Sequence, residues 1–533
     1  MAFLLGIIIS FCVYVSIGIF LFRKVKSSEE YYVSGRSGNT LMITGTLVAS
    51  FLSTVSFMGE AGFSYEGYPI LLLILVIFNA SGYIFGVFLF GRYLRRSKSL
   101  TVPEFFGNRF HSKKVRLAAA ITTILGIAAY LVAVTQGAAV LLAEVSGVSY
   151  PMALVIMWVV YSSFTILSGA KGVMVNDTVM FFLFSIATYL SFPYIIKSAG
   201  GFPDAVMKAA NLAERPDLLS WHGITGPAAT MGTPWEALAW AVIMGLVWGI
   251  VIAVSPWQSS RYLMAKNEHV AIRAGVWATI SILTVYLFLH ISISTITTIK
   301  ADIAPTEKVF IWAAMNIVPT WLGVIIVSGI MAAALSSCSS FLQIIGSSIT
   351  RDIMEQSRKK EYTDHHLLRA SRISMVVISL IILLIGLFQP PAVMWIGYFA
   401  ATLFAASWGP IAISSVFSKK VTKEGAFWSI VFGFVGVILG ESLGMFGISL
   451  PVYLNPVIIG LILSIGALII GSKYGTITIE EREFQANILQ TPIEIDEQKE
   501  MNITRRYPAY LMISGVMIIM VTLVFYYWPI NMN

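Results

Sequence analysis

Residues 319–350, PTWLGVIIVSGIMAAALSSCSSFLQIIGSSIT, form an apolar run long enough to cross a bilayer, with a cluster of hydroxyls in its middle. Ala333, Ser336, Ser337 and Ser340 recur at i, i+3, i+4 and i+7, which places them on one helical face. At membrane depth a hydroxyl has no water to bond, so it needs a helix carbonyl, a neighbouring helix or a bound ion. Two readings stay open on this stretch alone. Serines that bond the carbonyl four residues back, among small residues that let helices pack closely, need no ligand. Hydroxyls turned toward an ion form a binding site.

Two further stretches read as interrupted helices. In VASFLSTVSFMGEAGFSYEGYP (48–69), Ala49, Leu52, Ser53 and Ser56 share a face, and Gly59, Gly62 and Gly67 are expected to loosen the helix beyond it. In AVIMGLVWGIVIAVSPWQSSRY (241–262), Gly245, Gly249 and Pro256 interrupt an apolar run. Breaks of this kind are tolerated in membranes where they line a cavity, and their freed carbonyls can coordinate an ion near the midplane; helix packing or a plain kink is the alternative. Covalent chemistry has little to work with. Two cysteines, Cys12 and Cys338, lie in apolar runs, and the six histidines show no ligand spacing. Buried acids such as Glu60 and Glu441 are too scattered for a membrane-embedded enzyme, and no triad or nucleotide-binding loop is present, so the chain is not expected to be an enzyme.

The elements that must position these groups are membrane helices. Of the 533 residues 57% are hydrophobic and only 12% charged, a balance that defines an all-α polytopic membrane protein. About fourteen spans are expected: 1–22, 41–62, 69–91, 117–143, 150–168, 176–196, 235–255, 274–298, 319–349, 373–389, 392–416, 425–446, 455–472 and 507–529. Each is near the length that crosses ~30 Å of hydrocarbon at about 1.5 Å per residue. Loops after even-numbered spans hold only Lys197, Lys208, Arg215, Lys300 and Lys308, so the other 30 of 35 Lys and Arg lie on the opposite side. That side is expected to be cytoplasmic, with both termini outside, in a plasma (inner) membrane. The net charge of +8 is thereby spent on topology, which leaves no reason to expect a nucleic-acid partner. No basic n-region precedes the first span, so it is expected to be a retained helix and not a signal peptide.

Spans 2 and 7 lie five helices apart and so run in opposite directions. Two five-helix units of opposite topology would bring the two interrupted helices together, the plan of many secondary transporters. The expected organisation is one transmembrane domain: an extra N-terminal helix and loop (1–40), a first repeat (41–198), an extracellular loop (199–234), a second repeat (235–416) and additional helices (417–533). The last part contains a cytoplasmic linker, 473–506, expected to be a solvated connection or a short amphipathic helix.

The motifs EEYYVSGRS (29–37), ASFLSTVSFMGEAGFSYEGY (49–68), LTVPEFFGNRF (100–110), SGAKGVMVNDTVMF (168–181), SPWQSSRYLMAKNEHVAIRAG (255–275) and SGIMAAALSSCSSFLQIIGSSITRDI (328–353) together resemble the sodium:solute symporter family. That family includes the bacterial proline and pantothenate permeases and the sodium-coupled sugar and monocarboxylate transporters. The resemblance implies a leucine-transporter-type fold of five plus five inverted helices, with Na+ as coupling ion and no organic cofactor. It implies sodium ligands from the carbonyls of Ala49, Leu52 and Ala333 and the hydroxyls of Ser336 and Ser337, an oxygen set suited to a hard monovalent cation that must also leave. It implies a place for Asp177 on the ion's release path; capping of a helix N-terminus is the alternative for that carboxylate. Arg36 matches a family position near the cytoplasmic end.

The same resemblance puts the solute between spans 2, 4, 7 and 11, with Ser53, Thr54, Ser56, Tyr130 and Trp248 as candidate contacts. Phe51 and Val55 stand where the proline type carries aspartate and tryptophan, which argues against proline. The function expected is symport of sodium with a small organic solute, a carboxylate or amino-acid-like compound, by alternating access across the lipid bilayer. A transporter-like sensor acting through a partner and a proton-coupled symporter of the same fold are the alternatives.

Overall fold

The Thr320–Ser347 helix is buried at every position from Ile326 to Ser347. A helix with no lipid-facing side must stand at the centre of a bundle. Its small residues allow that: a Cβ added at Gly329 would lie 3.0 Å from Ala187 Cβ and 3.1 Å from Phe184 Cα, so the two backbones run in near contact. The first and last helices are the opposite case. Leu5, Ile8, Ile9 and Phe20 of Ala2–Phe22, and Met512, Ile513 and Val516 of Tyr507–Thr522, are exposed, as side chains facing lipid must be.

The computed structural model describes residues 2–23, 25, 27–357, 363–388, 393–448 and 450–530; Lys24, Lys26, Arg358, Lys359 and Lys360, counted in the charge-based topology, lie outside them. Among the described residues twelve helices are long and apolar enough to cross a membrane. One of them, Tyr150–Ser198, has 49 residues, about 73 Å at 1.5 Å per residue, enough for the fifth and sixth expected spans. Gly169, at φ 56° and ψ −151°, divides it. The second expected span is absent from the twelve because it is not one helix. The twelve helices therefore account for thirteen of the fourteen expected spans, and the broken second span is the fourteenth.

The breaks fall at other residues than the glycines suggested. Asn39 caps Thr40–Ala49 by accepting from Met42 N, and the helix stops at Ala49. The chain resumes helical form at Thr54 and runs through a wide turn, Val55–Glu60, into Ala61–Glu66. The unwound stretch is thus Ser50–Ser53, ahead of Gly59 and Gly62. These glycines serve packing instead: a Cβ at Gly59 would press on Met394, and one at Gly62 on the Thr306–Glu307 backbone. Gly67, at φ 135°, ends the segment in a conformation L side chains rarely take. Likewise Pro234–Val254 runs unbroken through Gly245 and Gly249, which pack on Leu75 and Phe78 of Pro69–Gly86. The interruption comes at Ser255 (φ −58°, ψ 148°), before Pro256–Leu263. The two breaks meet, with Gln258 Nε2 3.3 Å from Ser50 Oγ.

On the face expected to be cytoplasmic, Asp352 accepts from Thr101 at 2.7 Å and pairs with Arg116 at 2.8 Å, while Arg351 pairs with Glu104 at 3.1 Å. The 473–506 linker is docked rather than merely solvated. Its helix Ile479–Leu489 opens with a capping box between Thr478 and Glu481. Gln485 Nε2 then donates to Val416 O at 2.7 Å, and buried Arg109 bridges Ser415 O (2.6 Å) and Glu481 O (3.4 Å).

Candidate functional site

The hydroxyl face of Thr320–Ser347 meets the first break through one carboxylate. Asp177 accepts from Ser336 Oγ at 2.6 Å, from Thr46 Oγ1 at 2.5 Å and from Ser340 Oγ at 3.5 Å, with all four residues fully buried. It sits eight residues beyond Gly169, inside a helix, so it is not a helix cap. Because Ser336 gives its proton to Asp177, both its lone pairs remain available to a cation. Ser337 Oγ, one residue on, is buried and has no hydrogen-bond partner.

The break supplies carbonyls. Backbone N–H groups returning into it reach Thr46 O (from Ser50), Val48 O (from Phe51 and Leu52) and Ser53 O (from Ser56 and Phe57). Among the described residues none reaches Ala49 O or Leu52 O. Unpaired carbonyls buried in a membrane protein are costly unless something polar meets them. Ala333 lies one turn before Ser336 and Ser337 on the central helix, also fully buried.

The candidate solute residues divide. Ser56 Oγ is 2.8 Å from Tyr286 Oη. Trp248 has its ring 5.6 Å from Phe51, 5.4 Å from Tyr398 and 6.4 Å from Tyr130, and its Nε1 is buried without a partner. Tyr130 also packs on Trp257 and Phe341. Ser53 is occupied locally, its Oγ accepting from Val55 N at 3.1 Å. Thr54 faces Lys113–Ser146, with Oγ1 3.5 Å from Val134 O and its side chain in the space left by Gly137. No candidate, ion or solute, is more than 3% exposed, so the site is closed to both sides.

Three residues escaped the sequence reading. Thr46 is one turn before Ala49, but only its contact with Asp177 marks it. Arg261, six residues past the second break, is fully buried, with all three guanidinium nitrogens unpartnered and its charge acting on Asp177. Glu60, set aside as scattered, is buried and accepts from Tyr286 at 2.6 Å and Tyr398 at 2.7 Å. The available signal was the charge itself: an ionisable residue inside an apolar span is a functional candidate by default. Arg36 bonds the backbone at Lys98, Ser99 and Leu263 and pairs with Glu29, an anchor between loops.

Residues 31–433 match the family profile described as "Sodium:solute symporter family". A sodium/proline symporter of Escherichia coli is 24% identical over 469 residues, covering 84% of this chain and 90% of its own length. A sodium/pantothenate symporter of Haemophilus influenzae is 22% identical over 498 residues, covering 91% and 100%. Among solved structures, the substrate-bound outward-open state of a Na+-coupled sialic acid symporter superposes with a TM-score of 0.76 at 17% identity, over 89% of this chain and 98% of that one.

Proposed function

Since the chain belongs to the sodium:solute symporter family, and is a sodium-coupled symporter of a small organic solute on an inverted-repeat membrane fold, we propose that its sodium ion binds between the Ser50–Ser53 break and the central helix. The ligands are the carbonyls of Ala49, Leu52 and Ala333 and the hydroxyls of Ser336 and Ser337. The observation that carries this reading is Ser337: a fully buried hydroxyl with no partner of its own, next to Ser336, whose bond to Asp177 ties the central helix to Thr46 just ahead of the break. Asp177 stays outside the ligand set. It orients Ser336 and Thr46 and gives the departing ion a carboxylate to pass on the way inward.

Coupling follows from which elements the ion joins. One set of ligands belongs to the broken helix and the other to the central helix, so sodium ties together two bodies whose relative motion opens the site. Sodium that favours the solute-competent arrangement raises solute affinity, and by linkage the solute raises sodium affinity by the same factor. Each sodium moving inward gains about 2.3 kcal/mol per 100 mV, roughly 50-fold accumulation at one-to-one coupling. The solute class is a carboxylate or amino-acid-like compound, held near Ser56, Tyr130 and Trp248. Both termini lie outside the plasma membrane, on the strength of the basic residues gathered on the other side.

The test is uptake into proteoliposomes of labelled pantothenate, short monocarboxylates, proline, other amino acids and a sugar, under an inward sodium gradient and with potassium in its place. Sodium-dependent accumulation of one class is the expected result. Equal accumulation without sodium refutes the ion site and brings forward proton coupling.

A further inference from the structure

Glu60 is a carboxylate without a counter-charge. It is 4% exposed, lies one turn beyond Ser56 on the broken helix, and forms no ion pair among the described residues. Each oxygen accepts one phenol: Oε1 from Tyr398 and Oε2 from Tyr286, which also touches Ser56. Phenols fix the carboxylate's orientation but bring no positive charge. His290, whose ring lies 5.3 Å from that of Tyr286, forms no hydrogen bond through either nitrogen. A lone carboxylate at this depth is costly to keep charged unless it takes up a proton or a cation arrives to meet it.

The surroundings suit a cation of a particular kind. Tyr286 and Tyr398 belong to a connected ring cluster, with Phe51 6.4 Å from Tyr286 and Trp248 between Phe51 (5.6 Å) and Tyr398 (5.4 Å). Aromatic faces carry negative quadrupole density and attract organic ammonium groups, whose methyl or methylene surface they also cover. The cluster continues outward: Trp395, 44% exposed, lies 6.3 Å from Tyr398 and 6.3 Å from Trp240. The unpartnered Trp248 Nε1 offers a donor to an anionic or hydroxyl end of the same molecule.

We propose that Glu60, held by Tyr286 and Tyr398 at the edge of the ring cluster that continues to Phe51 and Trp248, recognises the ammonium group of the transported solute, which is therefore an organic cation or zwitterion and not a simple carboxylate. This rests on the symporter reading and revises its solute class: it keeps the amino-acid-like zwitterions, drops the simple carboxylates and admits organic cations. Glu60 supplies the charge, the rings supply desolvated aromatic faces, and Tyr286 and Tyr398 hold the carboxylate in place while the site opens and closes.

Matched pairs in which carbon replaces nitrogen test this. Glycine betaine against the anion of tert-butylacetic acid, choline against neopentylcarbinol, and alanine against isobutyrate differ in the ammonium charge and little in shape. Binding to the full-length protein in lipid nanodiscs is read by thermal stabilisation in sodium and again in potassium. At least one ammonium member should bind ~10-fold or more tightly than its isostere. Glu60→Gln should bring that ratio close to one while the stabilisation by sodium alone persists. Phe51→Leu, which keeps apolar volume and the charge, should lower the ratio several-fold and serves if Glu60→Gln does not fold. Equal binding within every pair, preference for the carbon isostere, no binding by any amine, or an unchanged ratio in Glu60→Gln overturns the proposal. Loss of the sodium effect alone refutes the ion site, because the ammonium ratio is still read in potassium.

Discussion

Ser337→Ala separates an ion ligand from a packing serine. The Ser337 hydroxyl is buried and bonds no other group of the protein, so removing it deletes no hydrogen bond within the fold. It relieves a desolvated polar atom whose burial costs about 1–3 kcal/mol, and the sodium-free protein should melt at the same temperature or higher. With sodium bound, the variant lacks one of the five oxygens proposed to hold it. Interactions between a charge and a neutral polar group are worth about 1.5–3 kcal/mol, so sodium affinity should fall about 10- to 150-fold. Ser336→Ala is the internal contrast: it removes a 2.6 Å donor from buried Asp177 and should cost about 1.5–3 kcal/mol of stability even without sodium. The assay is thermal unfolding across a sodium titration with potassium as balance, alongside the sodium dependence of uptake. Unchanged sodium affinity in Ser337→Ala would refute the assignment. So would equal destabilisation of the two variants in potassium, since it would mean that Ser337 holds structure as Ser336 does.

Other outcomes follow from the same geometry. Trp248→Ala should raise the solute concentration for half-maximal uptake ~10-fold or more, by emptying the space between Phe51 and Tyr398, while sodium affinity at saturating solute changes little. Arg116→Ala leaves the fully buried Asp352 carboxylate without its cation and should cost about 3–5 kcal/mol, visible as a lower melting temperature and easier proteolysis at 99–104. Gly82→Ala would bring a Cβ to 2.3 Å from Gly249 O and 2.9 Å from Gly249 Cα. The Pro69–Gly86 and Pro234–Val254 helices must then separate, at about 1–3 kcal/mol, with transport falling further than expression. Single cysteines at Asn211 and Lys499 should react with a membrane-impermeant maleimide from opposite sides, Asn211 from outside; labelling of both from one side refutes the topology.

Much of the molecule was legible before any coordinates. Apolar runs of bilayer length arise because every backbone polar group must be satisfied within a helix, so the spans could be counted from composition alone. The i, i+3, i+4 spacing put Ser336, Ser337 and Ser340 on one face because helical geometry is local. Where the helices break was not legible. Gly59, Gly62, Gly245 and Gly249 look like interruptions, yet each turned out to be a site of close approach to another segment. The actual breaks, Ser50–Ser53 and Ser255, depend on what surrounds them. A glycine states that the backbone is free, not whether that freedom is used for bending or for contact.

Residue types and their spacing determined the class and the hydroxyl face, and the side-to-side charge bias set the expected topology, since each is a property of one helix or of the chain's passage through a bilayer. The tertiary structure alone decided partners. Asp177 meets Thr46 and Ser336 across 131 and 159 residues of sequence, and Glu60 meets Tyr286 and Tyr398 across 226 and 338. Such pairings carry no periodicity, because they are fixed by the packing of whole helices rather than by any local preference. That is why a carboxylate dismissed as isolated in the sequence is found in the fold accepting from two phenols of a ring cluster.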